Sequence, residues 1–113
     1  MRGLKGRSSK HGPEWYIQQD IIKFLRAREW FVKPTHGNAH QSGFPDLFAS
    51  HRRFGQRWIE VKNAASYQFT PAQLEYFPRF CNNGSGIWIM VAATEAEYLK
   101  VLKGKYNWWQ YLK

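Results

Sequence analysis

"GFPDLFASHRRFGQRWIEVKN", residues 43 to 63, decides how this chain is read. Two apolar runs, "FPDLFAS" and "RWIEVKN", flank the basic turn "HRRFGQ", the pattern of two strands joined as a hairpin. Asp46 follows Pro45 at the start of the first run, and Glu60 and Lys62 lie inside the second. Side chains alternate faces along a strand, so Ile59 and Val61 are expected to enter the core. Trp58, Glu60 and Lys62 then share the other face, with Glu60 and Lys62 about 7 Å apart at their Cα atoms. An antiparallel hairpin lays the start of one run against the end of the other. It therefore carries Asp46 to Glu60 and Lys62.

The charge balance says what such a site would meet. The 113 residues carry 17 Lys and Arg against 8 Asp and Glu, a net charge of +9 that suits a polyanion, DNA or RNA. The plainer alternative is charge that only keeps the protein in solution. Hydrophobic residues make up 43% and aromatics 18%, which excludes a disordered basic tail and points to one domain with a modest core. The longest apolar run, residues 87 to 93, is too short to cross a bilayer. No apolar segment follows the basic N-terminus, so no secretion signal is expected. Cys81 is the single cysteine, which excludes an internal disulfide or a cysteine-built zinc cluster and suits a reducing cytoplasm.

Residues 1 to 12 have no apolar periodicity and read as a flexible basic arm, leaving 13 to 113 as a single domain. Pro13 opens a helix in which Ile17, Ile21, Phe24 and Leu25 recur at helical spacing. "WFVKP" reads as a short strand before the hairpin, and "THGNAHQSG" as a polar loop. Thr70, Pro71 and Gln73 carry the signature of a capped helix start, which Pro78 should kink or end. "GIWIMVAA" reads as a buried strand, and Thr94 with Glu97 as another helix start. The order α-β-β-β-α-β with a helical, aromatic tail predicts an α/β fold, a mixed sheet flanked by helices.

Two carboxylates brought to one place repel each other unless a positive group lies between them. Hard oxygen ligands of this kind suit Mg²⁺ or Mn²⁺, which bridge readily to phosphate oxygens. A lysine beside them is placed to orient or deprotonate an attacking water, and the metal to stabilise the charge of a leaving group. Glu14, three residues before Ile17 and seven before Ile21, shares the inward face of the first helix and is a further candidate. Each residue has a plainer reading: a strand-face ion pair for Glu60 and Lys62, a turn residue for Asp46, a helix-start charge for Glu14. Their joint placement on adjacent elements favours the site.

"FPDLF" followed by "WIEVKN" resembles the signature of the PD-(D/E)xK nuclease superfamily, with its restriction endonuclease-like core. "GFPDLF…WIEVKN…TPAQLEYF" is more closely similar to the VRR-NUC family of that superfamily. The resemblance implies that Asp46, Glu60, the Val61 carbonyl and, directly or through water, Glu14 ligate divalent metal. It further implies that Lys62 contacts the nucleophilic water and that Gln73 supports the site. The small stand-alone members are homodimeric and Holliday junction resolvase-like, which makes branched DNA the leading substrate.

DNA contacts are expected from Lys5, Arg7 and Lys10 on the arm, from His36 in the polar loop, and from Arg52, Arg53 and Arg57 at the hairpin tip. His36 and His40 lie four apart without an acidic or cysteine neighbour, a poor zinc pair. Trp108 and Trp109, near Lys103 and Lys105, are placed either to stack on unpaired bases or to close the core. The leading expectation is a metal-dependent, structure-selective DNA endonuclease. Its rivals are a nicking or restriction-like nuclease on unbranched duplex, a non-catalytic nucleic-acid-binding module and, more weakly, an HNH-type nuclease built on the histidine loop.

Overall fold

A computed structural model of the chain describes residues 11 to 35 and 43 to 112. Lys5, Arg7, Lys10, His36 and His40 lie outside the described residues. Helix α1 (Pro13–Arg26) leads into β1 (Phe31–Pro34), β2 (Leu47–His51) and β3 (Gly55–Val61). Helix α2 (Pro71–Asn82), β4 (Ile87–Met90), α3 (Glu95–Leu102) and a short 3-10 helix (Trp108–Tyr111) complete the chain. The expected order is observed.

The sheet runs β1-β2-β3-β4. The first three strands are antiparallel neighbours, and α2 crosses over to set β4 parallel to β3. This is the mixed α/β sheet flanked by helices that the pattern predicts. Alternation sorts the strands between two hydrophobic clusters. Val32, Leu47, Ala49, Ile59, Val61, Trp88 and Met90 face a cluster built with Ile21, Ile22 and Leu25 of α1 and Tyr98 and Val101 of α3. Ile87 and Ile89 face the opposite cluster, with Phe77 of α2 and Trp108 of the 3-10 helix. All four residues of β4 are buried, as both faces of a covered parallel strand must be, whereas β1 shows Phe31 and Lys33 to solvent.

The helix starts follow their local chemistry. Thr70 caps α2, its side chain accepting from the Gln73 N–H at 3.1 Å while Gln73 Oε1 accepts from the Thr70 N–H at 3.0 Å. Pro78 lies inside α2 without ending it, and the helix runs on to Asn82. Thr94 caps α3 through the Glu97 N–H at 3.3 Å. The Glu97 carboxylate does not return to the cap. Its Oε1 accepts instead from the Val91 N–H, at 3.1 Å. No helix among the described residues is long and apolar enough to cross a membrane.

Candidate active site

The hairpin register delivers the carboxylates. Leu47 pairs with Ile59, which sets Asp46, one step earlier, beside Glu60, one step later. Crossed hydrogen bonds fix the two. Asp46 Oδ2 accepts from the Val61 N–H at 2.8 Å, and Glu60 Oε1 accepts from the Asp46 N–H at 3.2 Å. Thr35 holds the entry to β2 from the other side, its N–H donating to the Asp46 carbonyl at 2.9 Å and its hydroxyl to the Pro45 carbonyl. Gly43 has φ +90°, and a Cβ there would lie 2.5 Å from the Tyr76 ring. The glycine three residues before Asp46 is thus required both by its backbone and by the close approach of α2.

Glu60 and Lys62 are on the face expected, but that face is covered by α2. Glu60 is 2% exposed and Lys62 4%. Lys62 Nζ donates to the Gln68 carbonyl at 2.7 Å and to Gln73 Oε1 at 3.2 Å, and stands 3.3 Å from Glu60 Oε2. Gln73 Nε2 donates to Glu60 Oε2 at 2.8 Å. The capping glutamine of α2 therefore holds the carboxylate with its amide nitrogen and the ammonium with its oxygen. The exposed strand-face pair considered for Glu60 and Lys62 is instead a buried contact, with both side chains hydrogen-bonded.

Burial, and then the Asp46 charge, push the Glu60 carboxyl up to about 8 against the opposing pull of Lys62 and Gln73. Glu14 comes near from α1, where its Oε2 accepts from the Asn63 N–H at 3.3 Å. That bond turns it to the residue after Lys62. Among the described residues no cluster of three or more His, Cys, Asp or Glu side chains that could hold a metal forms. Gln18, one helical turn beyond Glu14, is a buried polar residue of α1.

The basic residues divide. Arg52 and Arg53 do occupy the tip of the β2–β3 hairpin. The tip lies at the far end of the strands from Asp46 and Glu60, about 20 Å at the rise of a strand. Arg52 is exposed there, 3.4 Å from Glu29. Arg57 is a correction: it is not at the tip but in β3, 8% exposed and facing α3. Its Nε donates to the Val101 carbonyl at 2.7 Å and its guanidinium lies 4.4 Å from the Trp88 ring. It closes the last turn of a helix, where a cation suits the free carbonyls. The two tail tryptophans separate as well. Trp108 is buried against Phe77 with ring centroids 5.6 Å apart, while Trp109 is 47% exposed.

No family model and no curated protein matches the chain. It is similar to a solved structure described as "VRR_NUC domain", with a TM-score of 0.63 and 23% sequence identity, over 76% of this chain and 91% of that one. The fold of the chain is that of a VRR_NUC domain, the restriction endonuclease-like α/β core expected from the sequence.

Proposed function

We propose that this chain is a metal-dependent DNA endonuclease of the VRR-NUC type, selective for branched DNA and active as a homodimer. The observation that carries the reading is the buried meeting of Asp46 and Glu60 with Lys62, bridged by Gln73, at the paired ends of β2 and β3. Burial first, and the Asp46 charge second, push the Glu60 carboxyl up to about 8, and a bound cation would relieve the second of these. Two carboxylates and a neighbouring backbone carbonyl are the donor set that Mg²⁺ or Mn²⁺ takes while keeping several waters. Asp46, Glu60 and the Val61 carbonyl would hold the ion, with Glu14 acting through water. When bound, the ion would supply Lewis-acid stabilisation of the phosphoryl oxygens and of the leaving group.

The remaining roles fall to the chain itself. Lys62 points its ammonium at three acceptors, of which Glu60 Oε2, at 3.3 Å, is the most distant. That is the contact a water could replace, so Lys62 would orient the nucleophile there. Gln73 touches only Glu60, Lys62 and its own helix cap in this network, and is a positioning residue. The net charge of +9 draws the polyanion to the site.

Branched, nicked, linear and supercoiled DNA incubated with Mg²⁺ or with EDTA tests the reading. Metal-dependent cutting, strongest on branched DNA, is expected. Asp46→Asn and Glu60→Gln should abolish it while DNA binding persists. Cutting that survives either substitution overturns the site, and binding without turnover by the native chain would make this a binding module.

A further inference from the structure

Two cavities are linked through Tyr111, and the nearer of them adjoins the proposed centre. The nearer, of about 240 Å³, is lined by Tyr67, Gln68, Phe69, Leu74, Tyr111 and Leu112. It abuts Lys62, because the Gln68 carbonyl accepts from Lys62 Nζ and the Phe69 ring centroid lies 4.7 Å from that nitrogen. Its three aromatic walls meet edge to face, with Tyr67 centred 6.0 Å from Phe69 and 6.1 Å from Tyr111. The farther cavity, of about 380 Å³, is lined by Lys100, Lys103, Lys105, Asn107, Trp109 and Gln110. The Tyr111 hydroxyl takes a hydrogen bond from Lys100 Nζ at 3.0 Å, and its carbonyl takes one from the Tyr67 hydroxyl at 2.9 Å. Tyr111, a wall of the first cavity, is thus bonded to Lys100, a wall of the second.

We infer that these cavities form a track for an unpaired DNA strand, running from Lys62 across the 3-10 helix to the lysines of the α3 C-terminus. The inference rests on the nuclease reading and sharpens its substrate to DNA with unpaired nucleotides next to the scissile phosphate. The chemistry of the two cavities alternates as a single strand does. Aromatic walls take a base by its π-face without regard to sequence, and lysines take the phosphates that follow. A base inside a duplex is stacked on both sides and cannot enter a walled cavity. Exposed Trp109 supplies a second stacking surface beside Lys103 and Lys105, both exposed and on no helix or strand.

Equilibrium binding of the full chain in EDTA, where no turnover occurs, tests the track with three probes. These are a short oligo-dT strand, a duplex with splayed unpaired arms and a fully paired blunt duplex. Leu74 is 49% exposed, so Leu74→Glu fills the mouth of the aromatic cavity without opening the core. Leu74→Glu, Trp109→Ala and the double change Lys103→Glu with Lys105→Glu should each weaken the first two probes by about tenfold or more. The paired duplex should change by less than about threefold. Equal weakening of all three probes would mean general electrostatic attraction and overturns the track, as does no effect. A chain that cuts paired duplex but binds no unpaired strand overturns the track and leaves the nuclease reading intact. Selective strand binding without metal-dependent cutting does the reverse.

Discussion

Glu60 and Glu97 are both buried, each has a lysine within salt-bridge distance, and they serve different ends. Glu97 spends both oxygens on protein donors. Oε1 accepts from the Val91 N–H, and Oε2 receives Lys100 Nζ at 2.6 Å, with Lys100 itself 41% exposed. No second carboxylate shares its surroundings among the contacts described. Glu60 also has its donors, Gln73 and the Asp46 N–H, but it meets the Asp46 carboxylate as well. A buried acid with matched donors is a structural brace. A buried acid set against another acid is an arrangement that folding alone would not favour, and the proposed cation site rests on that difference.

The comparison breaks most visibly in activity. Glu60→Gln should reduce metal-dependent cutting by more than about a hundredfold, since loss of mere outer-shell partners already removes ten- to a hundredfold in metal sites. Glu97→Gln should leave the rate within about threefold and lower the melting temperature instead, through a loss of about 1–3 kcal/mol. Parallel nicking assays and thermal melts of the two variants check this, and matching losses of activity would erase the distinction.

A middle-sized effect separates Gln73 from the acids it holds. Gln73→Ala removes the donor to Glu60, the acceptor of Lys62 and half of the α2 capping box. Cutting should fall by about ten- to a hundredfold. Gln73→Glu keeps the capping oxygen but adds a third negative charge, and should fail to rescue. Recovery of activity by Gln73→Glu, measured against the alanine variant, would show that Gln73 matters only as a cap.

The most gradual effect is a pH slope. The Glu60 carboxyl rises from an ordinary value of 4.5 to about 8 in the fold, so between those values the folded chain holds a proton that the unfolded chain has lost. Stability of the metal-free protein should therefore be full below about pH 4.5 as regards this group. It should fall as pH rises toward 8, by at most about 1.4 kcal/mol per unit. Denaturant melts in EDTA across that range read the slope. Glu60→Gln should flatten it and Glu97→Gln should not.

The core of the site was legible because it depends on alternation and a hairpin. Those two rules suffice to put Asp46 beside Glu60, Lys62 on the same face as Glu60, and Ile59 and Val61 on the other. Gln73 was readable as a capping residue, and its side chain also bonds Glu60 and Lys62. Arg57 was misplaced for two reasons. β3 begins at Gly55, so position 57 is already inside the sheet, and its acceptor lies 44 residues away in α3. Local charge pattern carries no trace of such a partner. Glu97 was read as part of a helix start, and nothing in the sequence says that its side chain prefers a strand N–H to the cap. The tail tryptophans are adjacent in sequence, so only the turn of the 3-10 helix decides which enters the core.

The bonds from Ile89 N–H to Asn107 Oδ1, at 2.7 Å, and from Val91 N–H to Glu97 Oε1 lie along the outer margin of β4. Side chains from beyond the strand occupy donors that would otherwise template another chain. Sheet extension between two copies is thereby closed on that flank. The other flank is β1, four residues long and finished by Pro34, which has no N–H to offer. The homodimer proposed above would then have to use side-chain surfaces, not a backbone ladder, along the β4 flank.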